Sequence, residues 1–553
     1  MKKEKIFYLL ILIFFNNSSL NSQILNNLRS SYESYSAYYI DDSKTGDFNY
    51  EDRFRSNNYL NLKSNIGASW NFELQIESYL PSSLLNYSPD FKNTGISTFN
   101  LEYINDKINL KLGNFYEQFG SGMILRSWED KDLGINNSIR GLNFKYRIND
   151  KISLTSLFGQ QKKGFKYSKG FIVGLDTEFD FSNETNENYT FIAGLSFVGR
   201  NDDQTSGTTY HNTTNLYSAR IDFSSLSFYS NIEIINKSKD PIMQFGDFYD
   251  DFVEEGAAFF FNSGFIKNGI GVDFTFRRLE NMALFSERNA FGNSYNQSIV
   301  NYLPALTKQH DYSLANIYVY QSQPNVSFVD PNLIKTGETG MQLDVYYFLK
   351  EKSFFGGQYG MNLALNASVW NNLDGNFDFV NKNYTTNFFG KGEKYFSEIS
   401  LEIRKKWSSK LDNIIFYLNQ FYNKKYIEEK FGKINSNIFV IETTYKLNKN
   451  KSLKLELQHL STKDDNKNWS AFGLEYNLSS AISLYVSDLY NYQNPKQNKK
   501  IHYYNVGGSY SKGSNRYTVN YGRQRGGLIC TGGICRYVPE STGLSFSITT
   551  SFF

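Results

Sequence analysis

From Trp70 to Glu77 every second residue is apolar: Trp70, Phe72, Leu74 and Ile76 alternate with Asn71, Glu73, Gln75 and Glu77. Successive side chains of an extended chain point to opposite faces, so this period of two builds a strand with one oily and one polar side. The alternation returns in Leu453, Leu455 and Leu457 against Lys454, Glu456 and Gln458, and in Ile399, Leu401 and Ile403 against Ser400 and Glu402. It returns again in Tyr517, Val519 and Tyr521 against Arg516, Thr518 and Asn520. No comparable amphipathic helix accompanies these strands. Such a sheet forms either a soluble β-sandwich or a membrane barrel with lipid on the apolar face and water on the other.

The connections favour the barrel. Short turns such as Asn105-Asp106-Lys107, Asn149-Asp150-Lys151, Ser408-Ser409-Lys410, Asn448-Lys449-Asn450 and Ser479-Ser480-Ala481 each join two alternating segments. Longer polar loops, expected at 41–57, 80–94, 116–139, 201–214, 239–255, 281–337, 371–393 and 526–541, interleave with them. Short turns on one side and long loops on the other is the rhythm of outer-membrane barrels, and it puts both termini in the periplasm. The expected fold is all-β: a large antiparallel outer-membrane barrel of about 24 strands, an even number within about 18 to 24. Asn71, Glu73, Gln75 and Glu77 then face the lumen.

Composition sharpens this reading. The 553 residues include 42 Tyr and 48 Phe but only 8 Pro, and 20% are charged. Mean hydropathy is −0.49, and beyond the N-terminus no run reaches the roughly 18 to 20 apolar residues of a spanning helix, which excludes a helical membrane protein. At the N-terminus Lys2, Lys3 and Lys5 precede the apolar stretch Ile6–Phe15 and the mostly small, polar Asn16–Ser22. This reads as a signal peptide over 1–22, directing export through the Sec pathway, with cleavage near Ser22/Gln23. A short anchor is the alternative, against which the stretch is below spanning length. Residues 23–553 then form a single barrel domain with 55 basic and 54 acidic side chains, a balance that argues against a nucleic-acid partner.

Near the C-terminus Leu544, Phe546, Ile548, Thr550 and Phe552 alternate with serines and threonines, and Phe553 follows. Phe546, Phe552 and Phe553 resemble the terminal signal read by the outer-membrane assembly machinery. At the other end about six residues separate the expected cleavage site from a first strand near Arg29–Ile40, which leaves no room for an N-terminal plug domain or energy-coupling box and speaks against a TonB-dependent receptor. A barrel this wide holds either water or folded-in loops. The longest loop, 281–337, carries Leu303, Pro304, Leu306, Ile317, Tyr318, Val319 and Tyr320, so it is a candidate to occlude the lumen; packing on neighbouring surface loops, or one further hairpin, is the other reading.

The search for chemistry returns little. His211, His310, His459 and His502 lie in separate segments without metal-site spacing, and structural roles are expected. No nucleophile elbow or phosphate-cradling loop stands out, although a few residues on different strands could still form a hydrolytic site. Neither cofactor nor metal is expected. Cys530 and Cys535 flank Thr531-Gly532-Gly533-Ile534, and an even cysteine count in an exported chain points to a disulfide that stiffens a loop. The segment Gly113–Gly122 concentrates aromatics and glycines at a strand exit. It suggests a strand that turns into the lumen, where Glu117, Arg126, Glu129 and Asp130 could build a charged constriction; an ordinary loop with belt aromatics is the alternative.

The run Gly113–Arg126, the stretch Leu133–Asn137 with Arg140-Gly141, Asp41–Gly46, Arg55–Leu60 and Cys530–Tyr537 together resemble an uncharacterised family of outer-membrane barrels from Bacteroidota, over nearly the whole mature chain. That resemblance implies fold and location and leaves activity open. A pore for small solutes is the leading functional expectation. A structural or accessory subunit of an outer-membrane transport, secretion or assembly complex follows, and an outer-membrane enzyme is third. The expected partners are outer-membrane lipid, the assembly machinery and, for the second reading, another protein.

Overall fold

The computed structural model describes residues 27–552 except 86–90, 183–187, 203–211, 245–246, 289–297, 328–332, 379 and 382, and the side chains of 243–251. The expected signal peptide and its cleavage site, Phe553 and His211 lie outside the described residues. Twenty-four strands form one antiparallel sheet, from Arg29–Tyr39 to Ser541–Phe552. Each pairs with its neighbour along the chain, and the first pairs with the last, from Ser30 opposite Phe552 to Tyr39 opposite Gly543. The sheet is therefore a closed barrel without a free edge, in which backbone groups pair from strand to strand within the wall. Both termini of the sheet emerge at the end that carries the short turns.

Connections at the opposite end are longer, with corrections to the expected boundaries. Residues 239–255 are mostly not loop: the strands Phe228–Gln244 and Asp247–Lys267 continue through them as a ladder. Alternating polarity ceases there because a ladder extending past the lipid band needs no oily face. The first strand ends at Tyr39 and the second begins at Phe54. Lys163 and Lys166 close a tight turn on the long-loop side, and 424–432, 463–468 and 491–501 are further connections on that side that were not expected. The loops after Asn371 and Gln524 contain hairpins of their own, Gly375–Asp378 with Asn383–Thr386 and Gly527–Thr531 with Ile534–Val538.

The outer face follows the alternation. Leu175, Leu195, Ile234, Leu401, Leu457 and Val519 are all exposed, which suits hydrocarbon rather than water. Aromatic rings pair across strands in two tiers. Trp70–Tyr103 and Tyr510–Tyr517 stand toward the short turns, and Phe158–Phe171 and Phe197–Tyr217 toward the long loops. Aromatic rings at two levels bracket an apolar band, as at the two interfaces of a bilayer.

The inner face changes character along the barrel. In Lys433–Asn448 the outward residues are Phe439, Ile441 and Tyr445. Inward, toward the short-turn end, the strand presents Glu442, which pairs with Lys454 at 2.8 Å. Toward the long-loop end it presents Ile434, Ile438 and Val440, all buried. A wall with water inside has no need of Ile438 and Val440, and their burial requires packing partners within the lumen.

Candidate functional site

Two chain segments supply that packing. The first, 116–138, leaves the wall after Phe115 and folds into two small hairpins, Gln118–Phe119 with Leu125–Arg126 and Glu129–Asp130 with Ile135–Asn136. The second is formed by the described residues of the long connection 281–336, namely 281–288, 298–327 and 333–336. Arg126 N donates to Val300 O at 3.0 Å and Tyr302 N to Gly122 O at 2.9 Å. Asn301 joins the pieces, its amide donating to Met123 O and Met282 O while its side-chain oxygen accepts from Leu284 N. The two segments thus form one plug.

The plug is held by apolar packing on two sides. Met123, Leu125, Leu284 and Val300 pack against inward Val198, Leu216 and Ile235. Tyr312, Leu314 and Tyr320 pack against inward Trp370, Leu418 and Ile438. Each such side chain removed from water stabilises the packed state by about 1.5–3 kcal/mol. Close approach matters as well: at Gly120, φ is +52° and an added Cβ would stand 2.7 Å from Glu233 Oε1, where the plug backbone touches the wall.

Buried polar contacts fix the plug's register. Arg277 and Glu338, 1% and 0% exposed, pair at 2.6 Å on adjacent strands. The Glu338 carboxylate also accepts from the Tyr320 and Ser322 hydroxyls and from Gln323 N, all in the plug, while Arg277 donates to Pro304 O. Near the start of the loop, Asp240 bridges Arg200 at 2.7 Å and Arg288 at 2.8 Å. None of these pinning charges was singled out in the sequence; the available signal was strands apolar on both faces, as at Ile438-Phe439-Val440-Ile441.

The sequence candidates fall around this plug. Asn71, Glu73, Gln75 and Glu77 share the inward face of Trp70–Ser78, where Gln75 donates to Glu129 and Lys162 Nζ lies 3.6 Å from the buried Glu77. Glu117, Arg126, Glu129 and Asp130 belong to one inward segment, but each has its own partner. Glu117 accepts from Asn143 and Lys145, Arg126 stacks on Tyr302 at 4.0 Å, Glu129 accepts from Asn136, and Asp130 accepts from Leu133 N. Phe546 and Phe552 are exposed on the outer face of the closing strand.

Burial pushes the Glu129 carboxyl above its ordinary value, with neighbouring Glu77 adding to the rise and the Gln75 hydrogen bond opposing it. A raised carboxyl means that the packed state holds the proton more tightly. Its stabilising contribution is therefore complete below the ordinary carboxyl range and is lost as pH rises through the folded value. The difference in Tm between Glu129→Gln and wild type should accordingly grow in the variant's favour from pH 4 to pH 7; a difference that shrinks over that interval contradicts this account.

Cys530 and Cys535 form a disulfide across the hairpin Gly527–Val538. Its tip reaches the plug: the Tyr302 hydroxyl donates to Gly532 O and Ala305 N to Gly533 O. Gly533, at φ +79°, leaves no space for a Cβ, which would stand 2.5 Å from Ala305 O. So small a ring contributes about 2 kcal/mol to ordering the hairpin. Cys530→Ser is expected to raise protease cleavage within 527–538 severalfold without unfolding the barrel, and unchanged cleavage would deny the disulfide a clamping role.

The histidines are dispersed. In the plug, His310 Nε2 lies 3.4 Å from Glu398 of the wall; His459 meets the Tyr492 hydroxyl at 2.9 Å, and His502 Nδ1 meets Asp488 at 2.6 Å. His459, Ser470, Tyr490 and His502 stand in register on successive strands, yet among the described residues Ser470 donates to neither imidazole. Among the described residues no group of three or more His, Cys, Asp or Glu could hold a metal.

Several solved outer-membrane proteins are similar in fold. The siderophore receptor PirA from Acinetobacter baumannii is 9% identical over 96% of this chain and 81% of its own, with a TM-score of 0.44. PirA from Pseudomonas aeruginosa is 10% identical over 95% and 80%, with a TM-score of 0.43. OccK1 (OpdK) from Pseudomonas aeruginosa is 9% identical over 96% and 100%, with a TM-score of 0.38. No curated protein matches the chain. Residues 1–552 match the Family of unknown function (DUF6029), and the chain belongs to that family.

Proposed function

We propose that the protein is an outer-membrane pore for small solutes, narrowed by a plug made from its own loops. The observation that carries this reading is the change along the inner wall: apolar where the plug packs, charged and polar toward the short-turn end, where Glu442, Lys454 and Glu73 face the lumen. In this reading residues 1–22 are a Sec signal peptide, and 23–553 are one barrel with both termini in the periplasm. Asn71, Glu73, Gln75 and Glu77 line the lumen. Glu117, Arg126, Glu129 and Asp130, on the plug, make the lumen constriction, and Phe546, Phe552 and Phe553 address the assembly machinery. Origin in Bacteroidota is carried by the sequence resemblance alone. Single-channel recording of the purified protein in a planar bilayer tests the proposal. Reproducible unit steps support it; silence despite correct insertion overturns it.

The second reading, an accessory subunit of a larger outer-membrane complex, is favoured by the two apolar clusters that lock the plug in place. It predicts a silent barrel and a protein that co-purifies in mild detergent.

A further inference from the structure

Most inward residues beside the plug are sealed: Val198, Leu216, Leu418, Ile438 and Leu460 have no exposed surface. The seam, where the first and last strands meet, differs. There Ser545 is exposed and Thr518, Asn520, Gly522 and Gly543 are partly accessible. These side chains are small, so the wall stands back from the plug. A cavity of about 700 Å³ opens between the two, bounded by Thr518, Asn520, Ser545 and Ser547 on the wall and by Lys131 and Asp132 on the plug. That volume lies within the range of small-molecule sites.

The chemistry of this gap is distinctive. Its wall offers hydroxyls, an amide and glycine backbone, which hydrogen-bond to a solute, beside Tyr35, Tyr39 and an Arg523 whose charge is met by Asp42 at 2.6 Å. On the plug side, Lys131 is paired with Glu33 at 2.6 Å, while Asp130 and Asp132 add two further carboxylates close by. Around the gap the carboxylates Glu33, Asp42, Asp130 and Asp132 therefore outnumber the cations Lys131 and Arg523, a field that favours cations over anions.

We infer that the solute path runs along the seam, between the plug and the strands Arg29–Tyr39, Asn515–Gln524 and Ser541–Phe552, and that it passes small uncharged hydrogen-bonding solutes and prefers cations to anions. This rests on the pore reading above. The gap exists with every plug contact in place.

The test uses the full-length protein in planar bilayers with KCl and in liposomes swollen by arabinose. The double variant Asn520→Trp/Ser545→Trp fills the gap and is expected to lower conductance and arabinose uptake by about tenfold. Ala364→Trp, which enters a separate inward cavity of about 390 Å³ on the opposite wall, should leave both near wild type. In a KCl gradient, Glu33→Gln/Asp132→Asn should move the reversal potential toward zero. Heat-shifted mobility on gels verifies that each variant is a folded barrel. If Ala364→Trp blocks while the folded seam variant conducts normally, the path lies elsewhere and the inference fails with the pore reading intact. A silent wild type whose plug-deleted form conducts would instead sink the pore reading itself.

Discussion

Replacing residues 282–335 by a turn of about four Gly and Ser residues is expected to raise single-channel conductance at least about tenfold. The substitution is geometrically simple, because Glu280 and Gly337, on either side of the excised segment, already face each other on adjacent strands. A new hairpin turn can join them without changing register. Barrels of about 16–18 strands leave an aqueous channel when their loops do not fill them, and this wall has 24. The excision removes Leu284, Val300, Leu314 and Tyr320 from both apolar clusters and wets Val198 and Ile438 on the wall. Stability should therefore fall along with occlusion. Conductance is measured in planar bilayers and barrel integrity by heat-shifted mobility. An intact barrel with unchanged unit conductance would show that the long connection does not limit the bore.

A second large effect is expected from one carboxylate. Glu338→Ala strips Arg277 of its ion-pair partner in a place without solvent access and removes the acceptor for Tyr320, Ser322 and Gln323. Breaking a buried pair by deleting one member costs about 3–5 kcal/mol, equivalent to about 10²-fold to several 10³-fold in the docked-to-undocked ratio of the plug. The strand Gly337–Leu349 keeps its ladder on both sides, so the loss should fall on the plug and spare the wall. Limited proteolysis within 302–326 should accelerate by a comparable factor while the barrel keeps its heat-shifted mobility. The double variant Arg277→Met/Glu338→Leu should recover much of the protection, because it leaves no uncompensated charge. Equal cleavage rates in wild type and Glu338→Ala would show that packing alone holds the plug.

The alternation at Trp70–Glu77, Leu453–Gln458 and Arg516–Tyr521 determined the wall by itself. A period of two against lipid on one side assigns each residue a face, and short turns separated by long loops then set the order of strands and a tally of about 24. The disulfide was legible for a similarly local reason, since only two cysteines exist and four residues separate them. The plug's arrangement could not be read in this way. Leu314 meets Gln458, Asn301 meets Met123, and Gly532 meets Tyr302, partners 144, 178 and 230 residues apart. No period links such positions. The apolar content of 281–337 was compatible equally with a surface loop and an internal one. Along the chain Ile438 and Val440 are only a break in the alternation; their burial depends on the distant Leu314 and Tyr320 of the same cluster. Strand polarity is a property of neighbouring residues and is written along the chain; filling a lumen depends on which distant segments reach the same interior surface, and closure of the barrel decides that.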